Sequence, residues 1–92
     1  MATFVFRVHA LQRMIERRVS DSDIRFVVDN GEVIEDYPTD TPYPSQLILA
    51  WVSRRPLHVV VAKNDEADSI IVITVYEPDP SQWDDEFKRR KR

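Results

Sequence analysis

The fold is decided by the stretch LHVVVAKNDEADSIIVITVY, which occupies residues 57–76. Its two halves are rich in the β-branched residues Val and Ile, and the charged segment 65–68 separates them. Such residues favour strands, and a short polar interruption between two strand-like runs favours a hairpin. We therefore predict antiparallel strands over 57–64 and 69–76, the second of which ends before Pro78 and Pro80.

Outward from this hairpin, the pattern predicts three more strands, over 4–6, 32–37 and 46–53. Pro38, Pro42 and Pro44 predict an extended loop between the last two. The Arg54–Arg55–Pro56 turn then leads from 46–53 into the hairpin.

Apolar residues at helical spacing predict helices over 9–18 and 21–29. Ser20 and Asp23 have the spacing of a capping box at the start of the second helix. Gly31 after Asn30 predicts its end, with the glycine in a positive-φ conformation. A last helical turn is expected over 83–87.

The predicted order β-α-α-β-β-β-β corresponds to an α+β fold in which two N-terminal helices pack on one face of an antiparallel sheet. Residues 1–87 form a single domain in this interpretation. The basic residues 88–92 are expected to be a frayed tail.

Composition narrows the possible functions. The chain has 92 residues, no cysteine, one glycine and a net charge of −3. These numbers argue against disulfides, a thiolate zinc site, a glycine-rich phosphate loop and a generic DNA-coating protein. With no signal peptide and no apolar run long enough for a membrane, we expect a soluble, cytoplasmic protein that needs no cofactor and no metal.

The first helix carries the clearest chemical pattern. His9, Arg13 and Arg17 lie four residues apart and form one ridge, and the apolar Leu11, Met14 and Ile15 fall on roughly the opposite side. A histidine in line with two arginines suits a phosphodiester, since histidine can exchange protons near neutral pH. The alternative is an ordinary solvated face on which Arg13 pairs with Glu16.

A second set of candidates follows the strands of the hairpin. His58 lies beside the basic turn, and Thr74 and Tyr76 point to one face of the last strand. The hairpin register decides whether His58 shares that face. The alternative is a histidine with a satisfied structural hydrogen bond and a tyrosine that only packs.

Five blocks of sequence, in order, resemble the domain-of-unknown-function family numbered 4258. The resemblance covers about residues 7–83. The blocks are His-Ala-x-x-Arg-Met-x-x-Arg at 9–17, Ser-Asp-x-Asp-Ile at 20–24, Asn-Gly-Glu-Val-Ile-Glu-x-Tyr-Pro at 30–38, Arg-Pro-Leu-His-Val-Val at 55–60 and Ile-Thr-Val-Tyr-Glu-Pro at 73–78.

Members of this family look like relatives of the RelE and MqsR toxins, within the group of barnase- and EndoU-like folds. The resemblance implies a RelE-like fold and a metal-independent endoribonuclease, the toxin of a toxin–antitoxin pair. Its partners would be RNA and a cognate antitoxin. Members of the family, like MqsR-like toxins, are often encoded beside a small protein with a zinc-finger domain, which would be that antitoxin. The implied catalytic residues are His9, Arg13, Arg17, His58 and Tyr76, and Thr74 is implied to bind the substrate. The basic turn residues Arg54 and Arg55 are further candidates for substrate binding.

Two functions therefore remain open. An endoribonuclease needs titrating groups that converge on one point, so the ridge should border a groove that His58 or Tyr76 also reaches. A non-catalytic module that binds a protein or a nucleic acid needs only the charge of the ridge.

Overall fold

A computed structural model describes residues 2–91. It contains β1 (Thr3–Phe6), α1 (Val8–Arg17), α2 (Asp21–Asn30), β2 (Glu32–Tyr37), β3 (Ser45–Val52), β4 (Arg55–Asn64) and β5 (Ser69–Tyr76). The predicted α+β fold and its element order are confirmed. Strands β2 and β5 have their predicted bounds, and the other boundaries differ by one or two residues.

The five strands form one sheet in the order β1-β5-β4-β3-β2. Strands β2 to β5 pair antiparallel, as the hairpin pattern predicts. Strand β1 is the exception, because it joins the outer edge of β5 in parallel. The sheet is therefore mixed, with a single parallel pair at one edge.

Both helices cover the same face of the sheet. Helix α1 packs on β5, and α2 packs on β3 and β4. The core between them consists of small and branched side chains, among them Ala10, Ile24, Val27, Val59 and Val61. A bulge leaves Ile73 without a partner on β4. The extra residue lets both Val72 and Val75 face this core.

Local capping signals are confirmed at the start of α2 and corrected at its end. Ser20 Oγ accepts a hydrogen bond from the Asp23 N–H, and the Asp23 carboxylate accepts one from the Ser20 N–H. Gly31, however, has a negative φ of −76°. The glycine is needed because a Cβ would lie 2.4 Å from the Val27 carbonyl oxygen and 2.8 Å from that of Leu49.

Helix α1 differs from the sequence interpretation in which side chains it buries. Only Ala10 and Met14 are buried, whereas Leu11 and Ile15 are exposed. With Val8 they form an apolar stripe on the surface of α1.

The face opposite the helices is covered by the C-terminal loop, residues 79–91. Its backbone closes on itself through hydrogen bonds from Lys91 N–H to the Gln82 carbonyl (2.8 Å) and from Asp84 N–H to the Arg89 carbonyl (2.9 Å). No helical turn forms over 83–87. Residues 88–91, set apart as a tail in the sequence analysis, are thus part of the packed structure.

Candidate functional site

His9 is exposed at the start of α1 and lines a surface cavity of about 430 Å³, the His9 cavity. Four residues of the loop between β2 and β3 also line it. The lining residues are Arg7, His9, Asp40, Thr41, Pro42, Tyr43, Ala62 and Ile73. Within residues 2–91, the side chains of Arg7 and His9 have no hydrogen bond or ion pair, so both are available to a ligand.

Tyr43 is held in the His9 cavity by a fixed amide. Asn64 Nδ2 donates to the Tyr43 hydroxyl oxygen at 3.0 Å, while Asn64 Oδ1 accepts from the Ala67 N–H at 3.3 Å. Since the amide donates to the phenol, the Tyr43 O–H proton stays free for another acceptor. Asp40 is engaged in turn, because it accepts from the Ser45 hydroxyl at 2.5 Å.

The two arginines of the ridge differ in their surroundings. Arg13 forms an ion pair with Glu16 at 2.7 Å, the alternative raised by the sequence. Arg17 has no side-chain partner in the described part of the chain and lines a second cavity with Trp51 and Phe87. The ridge therefore offers free cationic charge at its end, and its middle is neutralised.

Arg55 holds the end of α1 against the β3–β4 hairpin. Its guanidinium donates to the carbonyl oxygens of Arg17 and Arg18, the latter at 3.1 Å, and to the carboxylate of Glu77 at 3.3 Å. These contacts satisfy carbonyl groups that every helix leaves unpaired at its C-terminus. Arg54 lies exposed at the tip of the hairpin with a φ of 68° and no side-chain partner in residues 2–91.

His58 is fully buried on the sheet face that the C-terminal loop covers. Its Nε2 lies 2.8 Å from the Phe87 carbonyl oxygen, and its Nδ1 lies 3.2 Å from the Tyr76 hydroxyl. Because a carbonyl only accepts, Nε2 carries the proton and Nδ1 accepts from Tyr76. Trp83 packs edge-on against the imidazole, with ring centroids 4.5 Å apart.

Burial is the main influence on the protonation of this pair. It lowers the pKa of His58 below 6.5, although the Phe87 carbonyl and the charge of Glu35 act in the opposite direction. Burial also raises the pKa of the Tyr76 hydroxyl. The pair is therefore neutral at physiological pH, with both imidazole nitrogens occupied.

Glu35 and Arg90 join the C-terminal loop to β2. The Arg90 guanidinium donates to the Glu35 carboxylate at 3.1 and 3.3 Å and lies over the Trp83 ring, 4.6 Å from its centroid. Burial alone would raise the pKa of Glu35, but hydrogen bonds from Arg90 and Tyr37 lower it below its ordinary value of 4.5. The ion pair closes the loop over the buried histidine.

The structure settles the hairpin register that the sequence left open. His58 pairs with Tyr76, and Val60 pairs with Thr74, so His58, Thr74 and Tyr76 share one face. Neither the His9 cavity nor the cavity beside Arg17 includes His58 or Tyr76. The two cavities that the ridge borders are therefore lined without His58 and Tyr76, and the groove that would join them stays a prediction.

Sequence reasoning missed Arg7, Asp40 and Tyr43 as neighbours of His9. By composition, the acidic and proline-rich loop that contains Asp40 and Tyr43 is a poor RNA surface. In the structure this loop lines the same cavity as His9. The closely spaced Pro42 and Pro44 around Tyr43 were the available signal that this loop is constrained.

Two findings concern other site classes. In residues 2–91, no three His, Cys, Asp or Glu side chains are grouped as they would be to hold a metal ion. The helices of that same range are all too short or too polar to cross a membrane.

Comparison with known proteins gives one match. The family model described as "Domain of unknown function (DUF4258)" matches residues 6–77. Neither the curated proteins nor the solved structures include a match. The matched range contains both helices, strands β2 to β5 and the whole lining of the His9 cavity, so this chain belongs to the DUF4258 family.

Proposed function

We propose that this chain is the toxin of a toxin–antitoxin pair, a cytoplasmic endoribonuclease that cleaves single-stranded RNA at the His9 cavity without a metal. The observation that carries the proposal is the set of side chains that line the cavity together with His9. A free imidazole, a free guanidinium and an oriented phenol line one open cavity.

RNA supplies its own nucleophile, the 2′-hydroxyl. His9 would take the proton of that hydroxyl while its oxygen attacks the adjacent phosphorus. The bond to the 5′-oxygen then breaks, and Tyr43 O–H donates a proton to that oxygen. The products are a 2′,3′-cyclic phosphate and a 5′-hydroxyl, and His9 returns its proton to the phenolate through water. Arg7 would stabilise the negative charge that develops on the phosphoryl oxygens.

An antitoxin has to cover this site, and the exposed apolar stripe of α1, on roughly the opposite side of the helix from the ridge, would give it a second contact surface. Val8, Leu11 and Ile15 are 71%, 44% and 80% exposed and run along the helix that carries His9. Exposed apolar rows of this kind commonly contact another protein. We therefore expect an antitoxin with apolar and acidic side chains to compete with RNA for α1.

The test is cleavage of a fluorogenic single-stranded RNA by the purified chain in the presence of EDTA. His9→Ala should abolish cleavage, and Tyr43→Phe should lower the rate by roughly 10²-fold or more. Gln12→Ala is the matched control, because Gln12 is exposed on the same helix and lies outside the cavity. Normal cleavage by the His9→Ala variant would contradict the assignment.

The second candidate is a binding module without catalysis. The observation that favours it is the burial of His58, which leaves one exposed histidine where the sequence suggested two. RNA that binds with a strong salt dependence but stays intact would select this function. Expression in a bacterial host, with and without the neighbouring gene, separates the two further, since only the nuclease should arrest growth.

A further inference from the structure

Trp51 is a large aromatic side chain that the fold leaves half exposed, at 49%. It lies between two surface cavities. One is lined by Phe26, Asn30 and Lys88 among others. The other, of about 560 Å³, is the Trp51 cavity, lined by Arg17, Trp51, Pro56, Glu77, Pro78, Asp79, Pro80 and Phe87.

Contacts with Phe87 and Pro56 hold the Trp51 indole in place. Phe87 meets it edge-on, with ring centroids 5.7 Å apart, and Pro56 is its partner on β4. The Arg55 clamp on the carbonyls of Arg17 and Arg18 fixes the end of α1 beside it. A rigid ring beside a fixed helix end is a surface on which a planar group can stack at small entropic cost.

The polar groups of the Trp51 cavity are of both signs. Arg17 is free, whereas Glu77 is engaged with Arg55 and Asp79 accepts from the Ser81 N–H at 2.8 Å. Guanidinium groups bind phosphate, and carboxylates accept hydrogen bonds from the exocyclic amino groups of nucleobases. Uracil has no such amino group.

We propose that the Trp51 cavity is a nucleobase subsite for single-stranded RNA. The base stacks on Trp51, its phosphate contacts Arg17, and its amino group donates to Asp79 or Glu77. Adenine, cytosine and guanine are therefore favoured over uracil. The identity of the substrate rests on the proposed function, but stacking on Trp51 can be measured without any cleavage.

The His9 cavity and the Trp51 cavity lie at opposite ends of α1. His9 and Arg17 are eight residues apart, which corresponds to about 12 Å along the helix axis. Stacked nucleotides advance by roughly 3.4 Å each. One RNA segment of several nucleotides can therefore occupy both cavities, with the scissile phosphate at His9 and the stacked base beyond Arg17.

The test uses the full chain and trinucleotides of adenylate, cytidylate and uridylate. Trp51 is exposed and Trp83 is buried, so quenching of intrinsic fluorescence reports on Trp51. Adenylate and cytidylate should quench and bind more tightly than uridylate. Trp51→Ala should weaken their binding by roughly 5- to 150-fold. Val5→Ala is the control, because Val5 is exposed on β1 and lies outside the cavity.

Two further variants probe the polar groups. Arg17→Ala should weaken all three trinucleotides and reduce the dependence of affinity on salt. Asp79→Asn should reduce the preference for adenylate over uridylate. Equal binding of all trinucleotides by the wild type, or unchanged binding by Trp51→Ala, would overturn the subsite. Quenching by a proline-rich peptide and not by RNA would also overturn it.

The outcome separates this inference from the proposed nuclease. RNA cleavage that depends on His9, with no trinucleotide dependence on Trp51, removes the subsite and keeps the nuclease. Trinucleotides that stack on Trp51, with RNA left intact, keep the subsite and remove the nuclease.

Discussion

The two histidines of this chain have opposite surroundings. His9 is exposed on a helix, without a side-chain partner in residues 2–91, in a cavity that also contains Arg7 and Tyr43. His58 is fully buried beneath the C-terminal loop, with both nitrogens hydrogen-bonded. An imidazole is therefore accessible to a ligand at position 9 and stabilises the fold at position 58.

The C-terminal loop, residues 79–91, accounts for the burial of His58. Without residues 79–91, His58, Tyr76 and Thr74 would lie on an open sheet face beside β3. The loop places the Phe87 carbonyl on the imidazole and Trp83 against its ring. A hydrogen bond and a packing contact then stabilise the neutral imidazole, which has no free nitrogen for a substrate proton.

The largest expected effect is on folding, from His58→Ala. This change leaves a cavity and unsatisfied polar groups at Phe87 and Tyr76, which should cost about 2–4 kcal/mol of unfolding free energy. For a domain of this size the melting temperature should fall by about 8 °C or more. Thermal and urea denaturation measure it, and a change below about 0.5 kcal/mol would show that the burial of His58 contributes little.

The next effect is a pH dependence of stability. Burial lowers the pKa of His58, so below the ordinary value of 6.5 the unfolded chain binds a proton that the folded chain does not. Stability should be fully present above pH 6.5 and fall as the pH drops toward the folded pKa, by at most about 1.4 kcal/mol per pH unit. Urea denaturation between pH 5 and 7.5 should show this slope. His58→Gln should remove it, and the same slope in that variant would assign it to another group.

A smaller effect is expected from Arg90→Gln, which removes the ion pair that closes the loop. Both partners are partly exposed, so the loss should be about 1 kcal/mol or less at neutral pH. The pKa of Glu35 should rise, since burial then acts without Arg90. The stability that this low pKa gives is present above pH 4.5 and is lost as the pH falls through the folded pKa. The difference between variant and wild type should therefore shrink in acid, and a difference independent of pH would contradict it.

The smallest effect on folding is expected from His9→Ala, the variant with the largest expected effect on cleavage. An exposed histidine without partners should contribute less than about 0.5 kcal/mol to stability. Denaturation of His9→Ala beside His58→Ala tests the comparison directly. Similar losses of stability in both variants would show that His9 also stabilises the fold. Loss of cleavage in His9→Ala would then not identify a catalytic residue, and only Tyr43→Phe would test the site.

Signals that act over a few residues predicted most of the fold. The segments 32–37 and 69–76 became strands with their predicted bounds, and the Ser20–Asp23 capping box starts α2. Each depends on neighbours in the chain, whose geometry the backbone fixes. Gly31 was predicted for its position but for the wrong reason. Its cause is contact with β3, which the sequence next to it does not encode.

The sequence by itself thus determined the element order, the α+β class and the cationic ridge on α1. Only the tertiary structure decided which residues accompany each histidine. Alternation along β4 puts His58 on the face opposite Val59, but its exposure depends on a loop that begins about 20 residues later. Tyr43 lines the same cavity as His9 although it lies more than 30 residues away in the chain, in a loop held by Asn64. Contacts of this length follow from packing and the entropy of closing loops, and no local pattern of residue types records them.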